Sequence, residues 1–328
     1  MTTKIFTDPD ASLESILNKN IGIIGYGNQG RAQALNLKDS GIAVRIGLRK
    51  GSSTHKRVKS EGLEHALIEQ VTEWADILVM LIPDNCMKSA FNTWINPYLN
   101  VQKTLIFSHG FSIHYGLIIP DPQLTVLLCA PSGPGKALRD RFVSGSGLPG
   151  LIAVYQDPSK GGLESILAYS KAVGMTRVGV VLSSFREETE TDLFGEQVIL
   201  TGGLPHLIRS AFNTLVDAGY QPVVAWLVCF YEVKMIVDLF SGIGLEDMTT
   251  AISDTAEYGG NTRGKRLISN TTRREMTRIL EEIREKEFFR EFTNRLKQND
   301  ATKPIVPSLE LFDQITRELL PLFKKENT

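Results

Sequence analysis

The chain has 328 residues, and at about 150 residues per domain that length suggests two domains, each able to bury its own core. Hydrophobic residues make up 42% and charged residues 22%, an ordinary globular balance that excludes a disordered tail or a mini-protein. The 36 Lys and Arg against 37 Asp and Glu leave a net charge of −1, so bulk charge attracts neither nucleic acid nor a membrane, and any binding must come from a site.

The start of the chain, Met1 to Thr7, has no apolar h-region, and the longest apolar run, Val223 to Tyr231, is about half a membrane span. Cys86, Cys129 and Cys229 lie far apart, without metal-ligand spacing, and an odd count argues against a disulfide framework. These features predict a cytoplasmic protein.

From Asn20 to about Phe185, short runs rich in Val, Ile and Leu alternate with helix-compatible stretches. The runs are Ile21–Ile24, Ala43–Leu48, Ile77–Ile82, Thr104–Phe107, Thr125–Cys129, Leu151–Tyr155 and Val178–Leu182. Continuous hydrophobicity of this kind is expected of strands covered on both faces, so the pattern predicts an α/β fold with a Rossmann-type, doubly wound parallel sheet. After Phe185 the apolar spacing becomes three and four. It predicts helices over Glu187–Thr201, His206–Ala218, Val223–Ser241 and Thr271–Gln298. Val223–Leu239 is apolar around most of its circumference, which predicts burial against other helices or a second subunit. The expected domains are therefore 1–182, dinucleotide-binding, and 183–328, all-helical.

The first chemical signal is Gly25-Tyr26-Gly27-Asn28-Gln29-Gly30, a G-x-G-x-x-G placed after an apolar strand and before an Ala- and Leu-rich helix. Gly25 permits the tight turn, Gly27 lets backbone approach a pyrophosphate, and Gly30 lets helix and strand pack closely. At the end of the next strand, an NAD-selective site would place an acid. This sequence has Arg49, Lys50, Ser52 and Thr54, which suit a 2′-phosphate, so NADP is favoured over NAD. His109 follows the run Thr104–Phe107 and so falls at the carboxyl edge of the sheet, where it could polarise or protonate a substrate oxygen. Asp192 and Glu196 stand at i and i+4 on one helix face and suit Mg²⁺, and Glu232 interrupts a long apolar helix where it could complete that cluster.

Taken together, these motifs resemble ketol-acid reductoisomerase. The resemblance is carried by GYGNQGRAQALNLKDSG, LIPD, SHGFSIHYG, APSGPG, SFREETETDLFGEQVILTGGL, DAGYQP and ISDTAEYG, and it spans essentially the whole chain. It implies the short form of the family, with a knotted helical domain that pairs with a second copy to build the active site. It also implies NADPH, Mg²⁺ and a small hydroxy or keto acid. The family grips 2-acetolactate with two Mg²⁺ ions, moves an alkyl group and delivers hydride to the resulting keto acid. By resemblance, Asp192 and Glu196 match metal ligands, Glu232 a ligand offered by the partner subunit, His109 the histidine near the reacting centre, and Ser253 a serine that holds the substrate carboxylate. Pro83 and Asp84 of LIPD and Gly135 of APSGPG fall with the cofactor-binding segments.

Two segments depart from the pattern, at three positions, one of them Lys136, which replaces a histidine. The family reads A-P-K-G-P-G-H where this chain has Ala130-Pro131-Ser132-Gly133-Pro134-Gly135-Lys136, so the active-site lysine is Ser132. Four residues before Glu232, where the family has another metal-binding Glu, stands Val228. The two losses nearly cancel in charge, yet a hydrocarbon cannot coordinate a cation. The leading expectation is a paralogue repurposed for another small acid in secondary metabolism. It resembles in kind the reductoisomerase-derived enzyme of malleicyprol biosynthesis, which closes a cyclopropanol ring from a sulfonium diol acid. The alternatives are an ordinary reductoisomerase of branched-chain amino-acid biosynthesis and a cofactor-binding protein without catalysis.

Overall fold

The computed structural model describes residues 4–297 and 310–323. The chain divides into two compact units, Met1–Thr191 and Asp192–Thr328. The division falls inside the helix Phe185–Gly195, later than the expected boundary after residue 182. Phe185 belongs to the core of the first unit, which accounts for the later position.

The first unit is built on nine strands: β1 (Ile5–Phe6), β2 (Ile21–Ile24), β3 (Val44–Leu48), β4 (Glu64–Leu67), β5 (Ile77–Met80), β6 (Thr104–Phe107), β7 (Thr125–Pro131), β8 (Gly150–Gln156) and β9 (Val180–Leu182). Their order is β1-β9-β8-β7-β6-β5-β2-β3-β4. The six strands from β7 to β4 in that order run parallel. Side chains alternate between two cores as the pleat requires. Ile23, Ile46, Val79 and Ile106 pack on one face, and Ile24, Leu78, Met80, Leu105 and Phe107 on the other. This two-sided burial is why the strands read as unbroken apolar runs.

The doubly wound parallel sheet expected from the sequence is present, and it is extended by antiparallel pairings. β8 runs antiparallel to β7, and β1 runs antiparallel to β9. Gly150 lets β8 approach β7 closely where the two pair, since a Cβ there would lie 2.3 Å from the Ala130 carbonyl oxygen. Two strands escaped the sequence reading. β1 is only two residues long, and β4, Glu-His-Ala-Leu, is an edge strand with no apolar run, tied to β3 by an Arg45–Glu64 ion pair at 2.8 Å.

Among its described residues, the second unit is helical. The expected Glu187–Thr201 helix is Phe185–Gly195 followed by a π-helical turn, Glu196–Leu200. Val223–Ser241 is Pro222–Trp226, a second π turn at Leu227–Tyr231, and Glu232–Ile243. Thr271–Gln298 is not one helix. It breaks between Asn270–Arg284 and Glu287–Lys297 because Lys286 takes φ 66°, and Gln298 lies outside the described residues. Helices at Asp254–Leu267 and Glu310–Phe323 were not foreseen.

The core of this unit is Phe212, Ala225, Trp226 and Ile315, with the Trp226 indole N–H donating to Thr316 Oγ1 at 2.8 Å. The expected burial of Val223–Leu239 holds within the chain only at Ala225 and Trp226. Val223, Val224, Val228, Met235 and Ile236 remain between 42 and 48% exposed.

Candidate active site

All six parallel strands end on one edge of the sheet, and the strand order reverses between β2 and β5, where open α/β sheets bind their ligands. A cavity of about 430 Å³ lies there. Gly25, Tyr26, Gly27 and Asn28 line it from the turn after β2, Arg49, Ser52 and Thr54 from the turn after β3, and Pro83 from the turn after β5.

The glycines act as the sequence argument requires. Gly25 has φ +99°, which disfavours any side chain, and a Cβ on Gly30 would lie 2.5 Å from the Gly25 carbonyl oxygen. A Cβ on Gly27 would meet nothing, so that space is left for a ligand against the N-terminus of the Asn28–Asp39 helix. These residues fit a dinucleotide. Asp84 begins the helix Asp84–Ala90 directly after Pro83.

The site is braced from outside. The Tyr26 hydroxyl donates to Glu61, which also binds Arg31 at 2.8 Å and Arg57 at 3.6 Å. Burial, aided by the bond to Glu61, pushes the Tyr26 phenol far above its ordinary value, so it stays a donor. Burial tends to raise the Glu61 carboxyl, yet the hydrogen bonds from Tyr26 and Arg31 outweigh it and hold the group below its ordinary value. Deeper in the unit, buried Gln33 donates to Gln29 at 3.2 Å and to Ser108 at 3.1 Å, and it accepts from the Tyr169 hydroxyl at 2.6 Å. Gln29 in turn donates to the Gly133 carbonyl at 2.9 Å. One relay thus ties the glycine-motif helix to the end of β6 and to the loop of Ser132. Gly135 allows that loop to sit against the motif, since a Cβ there would lie 2.1 Å from the Asn28 carbonyl oxygen. Ser132 itself is exposed, its backbone N–H donating to the Pro149 carbonyl at 2.9 Å.

His109 stands just past β6, as expected. Its Nδ1 donates to Glu188 Oε1 at 3.0 Å, while the Gly110 backbone N–H donates to Glu188 Oε2 at 2.7 Å. An ionised carboxylate only accepts, so Nδ1 carries the hydrogen and Nε2 is the ring atom that can exchange a proton with a ligand. Glu188 is 3% exposed, and Gly110 admits it closely because a Cβ there would lie 2.5 Å from Thr189 Oγ1. The ring of His109 stacks on Phe111 at 5.9 Å.

Glu188 was missed as a site residue. The available signal was its place one helical turn before Asp192, on the face already suspected. Helix Phe185–Gly195 carries both residues, and ligand atoms of His109, Glu188 and Asp192 all lie within 4.8 Å of one another. Two carboxylates and an imidazole can hold a divalent cation, and the carboxylate oxygens suit Mg²⁺. Glu196 and Glu232 are not in this group of the described residues. Glu196 opens the first π turn and Glu232 follows the second, and both are exposed. Ser253 caps the helix Asp254–Leu267, accepting from the Ala256 N–H at 3.3 Å, and is also exposed.

Comparison with known proteins covers nearly the whole chain. Residues 15–179 match the family model described as acetohydroxy acid isomeroreductase, NADPH-binding domain, and residues 185–309 match ketol-acid reductoisomerase, C-terminal domain. The chain is 36% identical to an NADH-preferring ketol-acid reductoisomerase from an uncultured archaeon, with a TM-score of 0.92 over 98% of this chain and 99% of that one. Two further structures share the fold only. A semialdehyde dehydrogenase NAD-binding protein from Cupriavidus necator is 18% identical, with a TM-score of 0.63 over 82% of this chain and 99% of that one. An oxidoreductase from Jannaschia sp., described as putative, is 12% identical, with a TM-score of 0.61 over 81% and 97%. No helix of the described residues is long and apolar enough to cross a membrane.

Proposed function

The chain belongs to the ketol-acid reductoisomerase family and is an NAD(P)-dependent oxidoreductase, and we propose that it acts with Mg²⁺ on a small hydroxy or keto acid other than 2-acetolactate. The observation that carries this reading is Val228. It sits 46% exposed on the π turn directly before Glu232, a hydrocarbon where the family offers a carboxylate. With Ser132 in place of the active-site lysine, the pocket loses an anion and a cation together. Secondary metabolism suits such a remodelled pocket better than valine synthesis. Cyclopropanol closure from a sulfonium diol acid is the reaction we favour by analogy.

In this reading residues 1–182 bind the dinucleotide, and residues 183–328 supply ligands and the face that meets a second copy. The apolar residues left exposed along Val223–Val237 support a homodimer. The turn Arg49–Thr54 is basic and hydroxylated and contains no acid, which supports NADP over NAD. Three cysteines without a disulfide support a cytoplasmic setting.

A bound nicotinamide would supply hydride transfer, and a bound Mg²⁺ would supply polarisation of the substrate oxygens. The chain's own residues do the rest. Gly25, Gly27 and Gly30 admit the pyrophosphate. Asp192 and Glu196, with Glu232 from the partner, are the ligands we assign to the metal. Glu188 holds His109 so that Nε2 moves a proton at the substrate hydroxyl, and Ser253 holds the carboxylate.

The test is turnover of 2-acetolactate by purified protein with Mg²⁺ and NADPH, alongside a panel of other 2-hydroxy and 2-keto acids followed by nicotinamide absorbance. Little turnover of acetolactate and measurable turnover of another acid are expected. An ordinary reductoisomerase rate on acetolactate overturns the proposal.

A further inference from the structure

Beside the dinucleotide cavity lies a second one, of about 380 Å³, at the edge of the sheet. Arg49 and Ser52 line both, so the two cavities flank the same turn after β3. Lys50, His55, His65 and Gln70 complete its polar lining, and no carboxylate contributes. A depression lined by two permanent cations and two imidazoles, without an acid, is an anion site by its chemistry.

The two histidines come from different elements. His55 opens the helix His55–Ser60, and His65 lies on β4 opposite Ile46 of β3. Their ring centroids are 6.1 Å apart. His55 Nδ1 is engaged by the Ser52 carbonyl oxygen, which fixes the ring against the same turn and leaves Nε2–H as the donor of its charged form. The charged groups around the pair are Arg49 and Lys50 from the turn, Lys56, Arg57 and Lys59 from the helix, Glu64 from β4 and Glu69 from the helix Ile68–Trp74. Glu64 is taken by Arg45, and Glu69 lines a separate depression with Arg49 and Lys50.

We infer that His55 and His65 are further specificity-determining residues for the cofactor, adding protonated donors around the 2′-phosphate so that the preference for NADP over NAD strengthens as pH falls. The inference rests on the reading that the Arg49–Thr54 turn receives that phosphate. An imidazole is the side-chain type that changes charge between pH 5 and 8. The phosphate takes up its own proton near pH ~6, which works in the opposite direction, so the effect must be read against a protein lacking the imidazoles.

The experiment measures Kd for NADP⁺ and NAD⁺ from pH 5.5 to 8.5 by calorimetry, on the unmodified full-length protein, on His55→Gln/His65→Gln and on Arg49→Gln/Ser52→Ala. NAD⁺ reports everything the two dinucleotides share. At pH 8.5 the histidine variant should match the unmodified protein. At pH 6 its preference for NADP⁺ should be lower by roughly two- to fivefold for each imidazole, the scale of an exposed ion pair. Identical pH profiles in these two proteins overturn the inference. The reading beneath it fails separately, if Arg49→Gln/Ser52→Ala binds NADP⁺ normally at pH 8.5.

Discussion

Glu188 holds His109 from 79 residues further along the chain, accepting from Nδ1 at 3.0 Å with one carboxylate oxygen while the other takes the neighbouring Gly110 N–H at 2.7 Å. With the Thr189 hydroxyl at 3.3 Å, three donors hold one buried carboxylate, so the ring cannot turn without breaking its bond to a fixed acceptor. In Glu188→Gln only one of those oxygens remains, and the new NH₂ faces a donor. The expected result is a loss of about 1–3 kcal/mol in stability. The Nδ1 proton resonance of His109 should shift or vanish, and the pH–rate profile of whichever acid is turned over should change. An unchanged resonance together with an unchanged profile removes Glu188 from the site.

The glycines of the motif should separate binding from folding. Gly27→Ala places its methyl in open space, so melting temperature should hold while dinucleotide affinity falls by about tenfold or more, equivalent to ~1.4 kcal/mol. Gly30→Ala meets the Gly25 carbonyl at 2.5 Å and should lose about 1–3 kcal/mol of stability first. Thermal melts and NADPH titrations on both proteins check the contrast. Equal behaviour in the two would mean the open space at Gly27 is not where the pyrophosphate enters.

Val228→Glu combined with Ser132→Lys restores the lost carboxylate and the lost ammonium of the family pattern. Tighter Mg²⁺ binding by calorimetry is expected, with some acetolactate turnover. If neither metal affinity nor turnover moves, these positions do not set the chemistry.

Acid should weaken the brace around Tyr26. The Glu61 carboxyl is held below its ordinary value in the folded chain, so its contribution is fully present above the unfolded value of about 4.3 and is lost as pH falls through the lower folded value. Melting temperatures of the unmodified protein and Glu61→Gln should differ by a constant amount above about pH 5 and converge below about pH 4. A gap that does not narrow on acidification would show that ionisation of Glu61 plays no part.

Ser132 lies on a loop set by Gly135, and Glu188 lies on a helix that approaches β6 only because residue 110 has no side chain; neither relation is visible in the linear order. What the sequence determined by itself is what each residue's own surroundings dictate. Unbroken apolar runs marked the strands covered on both faces, and three glycines after such a run marked the dinucleotide turn. Arg49 to Thr54 marked the polarity of its neighbour, and the family segments marked the departures at Ser132 and Val228. These signals are local, because burial and backbone freedom act residue by residue. β4 escaped because an edge strand needs no apolar run, and the antiparallel direction of β8 against β7 escaped because direction leaves no mark on hydrophobicity. The pairing of His109 with Glu188 and the meeting of His55 with His65 depended on which strands become neighbours. That choice is made by closing the whole sheet, since only then do polar groups distant in sequence come within reach of one another.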